Sequence, residues 1–212
     1  MCYNICMPTI TDMQIQKNNK TRANVYVDGE FAFALEMVSV MKLGLKIGAE
    51  VSVDRLSEAV LDSERSVCFD KAANYLSRGM KTRKQMRDYL LGKGFCDETV
   101  NYVIDKLLDY KYINDEYYAQ VYVEQNVATK GERRLKQELM QKGILSAIAE
   151  KYCATEPDVT TDNAERLADK YMRNKPRDLK TLSKLQRYLI SRGYDFDVVN
   201  AVIRSYKLDG NE

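Results

Sequence analysis

Basic side chains recur at fixed intervals in this chain. Arg83, Lys84 and Arg87 are followed by Arg133, Arg134 and Lys136, and then by Lys184 and Arg187. Lys84 stands 49 residues before Arg133, and Arg87 stands 49 before Lys136. Lys130 and Lys142 flank the middle group. Cations repeated in register can follow a phosphate backbone or an acidic protein groove. The competing reading is solubilising surface charge.

Other chemistries are poorly supplied. The chain has no histidine, which excludes Ser-His-Asp and Cys-His catalysis. It has no glycine-rich phosphate loop ending in Gly-Lys-Ser or Gly-Lys-Thr. Asp105 and Asp109 share a helical segment with no third ligand beside them, so salt pairing is expected rather than Mg²⁺. The cysteines Cys2, Cys6, Cys68, Cys96 and Cys153 contain no Cys-x-x-Cys, and a zinc site would have to draw on distant segments. Reduced, structural cysteines are expected, with no metal and no cofactor.

The elements that position the cations are themselves repeated. Leu90-Leu91-Gly92-Lys93-Gly94-Phe95 matches Leu139-Met140-Gln141-Lys142-Gly143-Ile144, and both match Leu189-Ile190-Ser191-Arg192-Gly193-Tyr194. Met86, Leu135 and Leu185 stand four residues upstream of the leucines. Each i, i+4 pair puts two apolar side chains on one helix face. Gly94, Gly143 and Gly193 suit the left-handed position that ends a helix, and the apolar residue after each can fold back onto it. Lys93, Lys142 and Arg192 sit by the negative helix end. Arg87, Lys136 and Gln186 fall about 100° round from the apolar residue before them, at the edge of the buried stripe.

A helix precedes and a helix follows each of these. Preceding ones are expected at 57–77, from Asn114-Asp115 to about Asn126, and from Asp162, with Asp162-x-x-Glu165 as a capping box and Pro176 beyond the end. Thr82-x-x-Gln85 and Thr129-x-x-Glu132 also have capping-box spacing, which the third copy lacks. Asp97 and Ser146 are candidate caps for the following helices. Their apolar stripes are Val100, Val103, Ile104, Leu107 and Leu108, and in the third copy Val198, Val199, Val202 and Ile203. Units of about 50 residues bury little alone, so stacking is expected.

The N-terminal part differs. Val25, Val27, Phe31, Phe33 and Leu35 alternate about Asp28-Gly29, a hairpin signal. Thr9 to Lys17 reads as a third strand with Met13 and Ile15 on one face, and a short helix near 36–43 ends at Gly44. A boundary is expected near Leu56.

Charge is uneven. Residues 1–63 carry six Lys/Arg and eight Asp/Glu, whereas 164–207 carry eleven and five. A polyanionic or acidic partner would meet the helical part. Tyr110, Tyr112, Tyr117, Tyr118 and Tyr122 cluster before the second copy. Base stacking is one use for them, but Tyr118, Val121 and Tyr122 share a helical face, so packing is preferred. No apolar run reaches the roughly 20 residues of a membrane helix. The opening MCYNICMPTI lacks a signal peptide's charged and apolar regions, so a cytoplasmic location is expected.

KYINDEYYAQVYVEQN followed by KGERRLKQELMQKGI resembles the central signature of the RecX regulatory proteins. The matching positions are Asn114, Asp115, Glu116, Tyr118 and Ala119, then Lys130, Gly131, Arg134, Leu139, Lys142, Gly143 and Ile144. NYLSRGMKTRKQMRDYLLGKGF is similar to the family's first repeat, and the hairpin to the extension of its longer members. The resemblance implies a non-enzymatic modulator of the RecA recombinase, lodged in the groove of the RecA–single-stranded-DNA filament.

The expectation is therefore a mostly α protein. Three tandem three-helix repeats, 56–110, 111–155 and 156–212, form an elongated array behind a small strand-rich region, 1–55. The expected partner is the RecA filament, with single- or double-stranded DNA as a further one and a monomeric state. A helix-turn-helix transcriptional regulator is the alternative. The helices after Gly94 and Gly143, beginning CDETVNYV and ILSAIAEKY, are poor in base-reading residues, which disfavours it.

Overall fold

The computed structural model describes residues 8–17, 19–51, 53–154 and 156–208. Cys2 and Cys6 lie outside them. Internal contacts divide the chain into two units. One takes the described residues up to Gly79 together with Arg87–Asp109. The other takes Met80–Met86 and the described residues from Tyr110 onward.

The first unit begins with a three-stranded antiparallel sheet, β1 (Ile10–Ile15), β2 (Arg22–Val27) and β3 (Glu30–Glu36), in that order. Asp28 and Gly29 both have positive φ, 50° and 88°, as a two-residue type I′ turn requires. Ala23, Val25 and Leu35 are buried, with Phe33 and Met13 packed against them. The expected alternation fails at one point. Val25 pairs with Phe33 but Tyr26 pairs with Phe31, so Ala32 is an extra residue in β3. This bulge turns Phe31 to the other face, edge-on to Tyr26 and 57% exposed. Ile15, expected beside Met13, is exposed at the strand end.

Helix α1 (Met37–Lys42) stops before Gly44 as expected. Helix α2 (Val53–Leu76) starts four residues before the expected point and runs past Leu56 without a break. Its Ala59 packs with the sheet core, while Cys68 and Ala72 are buried further along. One helix thus closes the sheet and opens the first repeat. Helices α3 (Arg83–Leu91) and α4 (Asp97–Asp109) complete that repeat.

The remaining helices are α5 (Asp115–Asn126), α6 (Glu132–Gln141), α7 (Ser146–Cys153), α8 (Pro157–Met172), α9 (Leu179–Ser191) and α10 (Phe196–Leu208). The repeat leucines close two cores here: Leu135, Leu139 and Ile144 in one, Leu185, Leu189 and Tyr194 in the other. All six predicted core residues, from Met86 to Leu189, are fully buried. Gly94, Gly143 and Gly193 have φ between 88° and 90°. In the later two copies the amide after the glycine donates to the leucine carbonyl five residues back, the Schellman closure.

Several starts differ from expectation. Thr82 and Gln85 form the reciprocal box, and Asn114 caps α5 through the Tyr117 amide. Thr129 does not cap α6, because Gly131 holds the cap position. Asp97 and Ser146 lie inside the first turns of α4 and α7 rather than before them. Helix α8 begins at Pro157, not Asp162, since proline's fixed φ and missing N–H suit a first helical position. In the third copy Asp178 accepts from the Thr181 amide and caps α9.

Candidate polyanion-binding face

The second unit holds every predicted basic residue except Arg87. Its repeats join head to tail. Thr82 Oγ1 donates to the Lys142 carbonyl at 2.6 Å. The Gly131 amide donates to the Arg192 carbonyl at 2.9 Å. Thr82 and Gly131 are equivalent positions, and so are Lys142 and Arg192. Each start of a middle helix therefore supplies the donor for a carbonyl at the end of the next middle helix, where positive and negative helix ends also attract. The glycines make this contact possible. A Cβ on Gly143 would lie 2.2 Å from Lys84 Cβ, and one on Gly193 would lie 2.5 Å from the Arg134 amide nitrogen.

This junction sorts the predicted cations. Lys84 and Arg134 seat on the glycine turn of the next repeat, so part of their role is packing. Arg134 also donates to Glu138 at 2.9 Å and to the Ser191 carbonyl at 2.8 Å. Lys130 donates to the same carboxylate at 2.6 Å and to the Tyr122 hydroxyl at 3.2 Å. Tyr122 in turn donates to Glu138. Burial alone would raise the Glu138 carboxyl, but hydrogen bonds from Lys130, Tyr122 and Arg134 outweigh it and hold the carboxyl down to about 2. Lys136 pairs with Glu132 at 2.6 Å, one turn back. Arg87 pairs with Asp97 and Asn101. Both are half-buried, as an edge-of-stripe position implies.

The outward-facing cations are fewer. Arg83 is exposed; its backbone amide donates to Asp115 at 2.8 Å, and its charge acts on the same carboxyl. Arg133 is 61% exposed, with Asp195 no nearer than 4.0 Å. Lys184 and Arg187 are exposed on α9, where Arg187 Nε reaches only the Ser183 carbonyl, at 3.4 Å. Lys142 lies 5.5 Å from the centre of the Tyr122 ring.

That last contact belongs to a recurring feature. Lys93 covers Tyr89 at 5.4 Å, and Arg192 covers Tyr188 at 5.1 Å. The helix-end cation of every repeat thus lies over an aromatic ring, within cation–π range. Tyr75 stacks on Tyr89, and Tyr171 on Tyr188. In the middle copy Glu138 takes the place of the second ring. Tyr122 stacks on Tyr118 instead, against the core as the packing reading expected. The 49-residue spacing of Tyr122 and Tyr171 was the available signal. Tyr110, Tyr112 and Tyr117 are exposed.

Among the described residues, no three His, Cys, Asp or Glu side chains gather as a metal site, and no helix is long and apolar enough to cross a membrane.

Comparison with known proteins covers most of the chain. Residues 8–52 match a family model for the regulatory protein RecX N-terminal domain. Residues 68–107, 114–152 and 158–203 match the first, second and third RecX three-helix domains. A regulatory protein RecX of Clostridium perfringens is 34% identical over 97% of this chain and 99% of its own. One from Clostridium tetani is 34% identical over 92% of each. A crystal structure of a regulatory protein RecX, 26% identical, covers 92% of this chain and 98% of its own with a TM-score of 0.67. RecX from Lactobacillus salivarius, 29% identical, covers 68% of this chain and 97% of its own with a TM-score of 0.61.

Proposed function

The chain belongs to the RecX family of regulatory proteins, and we propose that it binds the RecA–single-stranded-DNA filament and restrains its activity without catalysing a reaction itself. The observation that carries this reading is the family match through all four domains. The junction of Gly131 with Arg192 supports it by fixing the spacing of the second and third repeats, and Arg83, Arg133, Lys184 and Arg187 are exposed in the same unit. Their carboxylate neighbours are looser than those of Lys130, Arg134 and Lys136, as with Asp195 at 4.0 Å from Arg133, so their charge is more available to an acidic groove or to phosphate.

On this reading the basic residues divide by role: Lys84, Arg87, Lys130, Arg134 and Lys136 hold the repeats in shape, and the outward set makes the partner contact. The test is ATP hydrolysis by RecA on single-stranded DNA with the protein titrated in. Progressive loss of hydrolysis, with none by the protein alone, is the expected result. Hydrolysis unchanged at saturating protein, together with no binding to the filament, would remove this reading.

A further inference from the structure

The first unit exposes apolar side chains that its own core does not use. Val38 and Met41, one turn apart on α1, are 59% and 73% exposed, while Val40 is the residue of α1 that is buried. Between α1 and α2 runs a groove of about 520 Å³. Val38 and Leu43 give it an apolar lining. Glu36, Glu58 and Asp62 line it too, three carboxylates against the single ammonium of Lys42. Glu36 accepts from Ser66, and Asp62 pairs with Arg65 at 3.2 Å. Glu58 is exposed. Apolar surface with a charged rim is the mark of a contact surface, and this rim calls for cations.

The chain itself displays the complement. Leu179, the first residue of α9, is 76% exposed. Lys180, Ser183, Lys184 and Arg187 are exposed on the same side of the helix, three or four residues apart. Residues 170–192 carry eight Lys/Arg and a single acid, Asp178, which caps α9 through the Thr181 amide. An apolar anchor flanked by lysines thus faces outward in one unit, and an apolar groove rimmed by carboxylates lies open in the other. Lysine stems can lie along apolar walls while their ammonium groups reach the carboxylates at the edge. Two grooves facing each other would instead bring carboxylates against carboxylates.

We propose that the groove between α1 and α2 receives the start of α9 from a second copy of the chain, with Leu179 as the anchor and Lys180 and Lys184 toward Glu58 and Asp62. The contact is heterologous: each copy offers one groove and one helix, so copies add in a single direction. The monomeric state expected from the sequence then holds only in dilute solution. The proposal does not rest on the filament reading, and its test contains no recombinase.

The experiment is sedimentation velocity of the full chain over a series of concentrations at low and high salt. The expected result is a sedimentation coefficient that rises with concentration and rises less in high salt, which screens the rim. Two variants separate the two surfaces. Val38→Lys/Glu58→Lys changes exposed groove residues, and Leu179→Ala/Lys180→Ala/Lys184→Ala changes exposed helix residues. Both are checked for unchanged thermal unfolding by circular dichroism. Each alone should sediment as a monomer. Mixed in equal amounts they should form a dimer and nothing larger, because one keeps the helix and the other keeps the groove. Leu179→Ala alone should weaken association by about tenfold, as loss of an apolar anchor does. A wild-type chain that stays monomeric throughout, a folded variant that associates like wild type, or a mixture that stays monomeric would overturn the proposal.

Discussion

Replacing Gly131 by Ala would test the repeat junction through the sign of its effect. Gly131 has φ −75° and ψ 165°, which any residue adopts. In open space the change should stabilise by about 0.4–1 kcal/mol, by restricting the unfolded chain. Here the added Cβ would stand 2.3 Å from the Gly193 carbonyl oxygen and 2.5 Å from the Tyr194 nitrogen. Both are backbone atoms, so no side-chain rotation relieves the overlap. The second and third repeats must separate, and the Gly131–Arg192 hydrogen bond is lost or stretched. A lost bond costs about 0.5–1.5 kcal/mol. Forcing a close-packed contact apart costs about 1–3 kcal/mol more. Set against the gain, the net expectation is a loss of about 2 kcal/mol. Gly92→Ala serves as the comparison. Its Cβ would meet only the preceding turn, at 3.2 Å and beyond, so it should be neutral or slightly stabilising. Urea unfolding followed by circular dichroism at 222 nm measures both. Amide exchange should quicken at the end of α9 in Gly131→Ala only. If Gly131→Ala is as stable as Gly92→Ala, the repeats do not meet as described.

Other outcomes follow from the same structure. Leu139→Ala removes a fully buried side chain from the middle core and should cost about 2–5 kcal/mol in urea unfolding. Glu138 has a folded pKa of about 2, below its ordinary 4.5, so its contribution is present above pH 4.5 and is lost as pH falls through 2. Glu138→Gln should therefore be less stable than wild type at neutral pH, with the gap closing over that window in acid unfolding. Burial pushes the Cys68 thiol up to about 12 and that of Cys153 to about 11, whereas Cys96 is exposed. Iodoacetamide at mildly alkaline pH should label Cys96 well before Cys68 or Cys153, as peptide mapping would show.

The core and the helix ends were legible because local rules set them. An i, i+4 apolar pair and a glycine eight residues beyond its first member dictate a buried stripe and a stop, whatever lies elsewhere in the chain. The N-terminal hairpin was legible at its Asp28-Gly29 turn but not at its bulge, since Ala32 carries no mark of being an extra residue. The α6 cap misled for a related reason. Thr129 has the right spacing, yet the contact that fixes the helix start is made by Gly131 with a carbonyl 61 residues away. The candidate site was legible as a set of residues and not as a surface. Helical spacing alone offers Glu138 to Arg134 as an i, i+4 partner, but only the fold brings Lys130 to the same carboxylate.

The central claim is that the outward cations of the second unit contact the filament. It is tested most directly by binding of the full chain to preassembled RecA filaments, comparing wild type with Arg83→Ala/Arg133→Ala/Arg187→Ala. These positions are exposed, and the side-chain contact that Arg133 makes across the junction, to Asp195, is long at 4.0 Å. Unfolding should move by no more than about 0.5 kcal/mol per site. The account predicts filament binding weakened by about tenfold or more, with a shallower salt dependence. A folded triple variant that binds the filament as tightly as wild type at every salt concentration would contradict it.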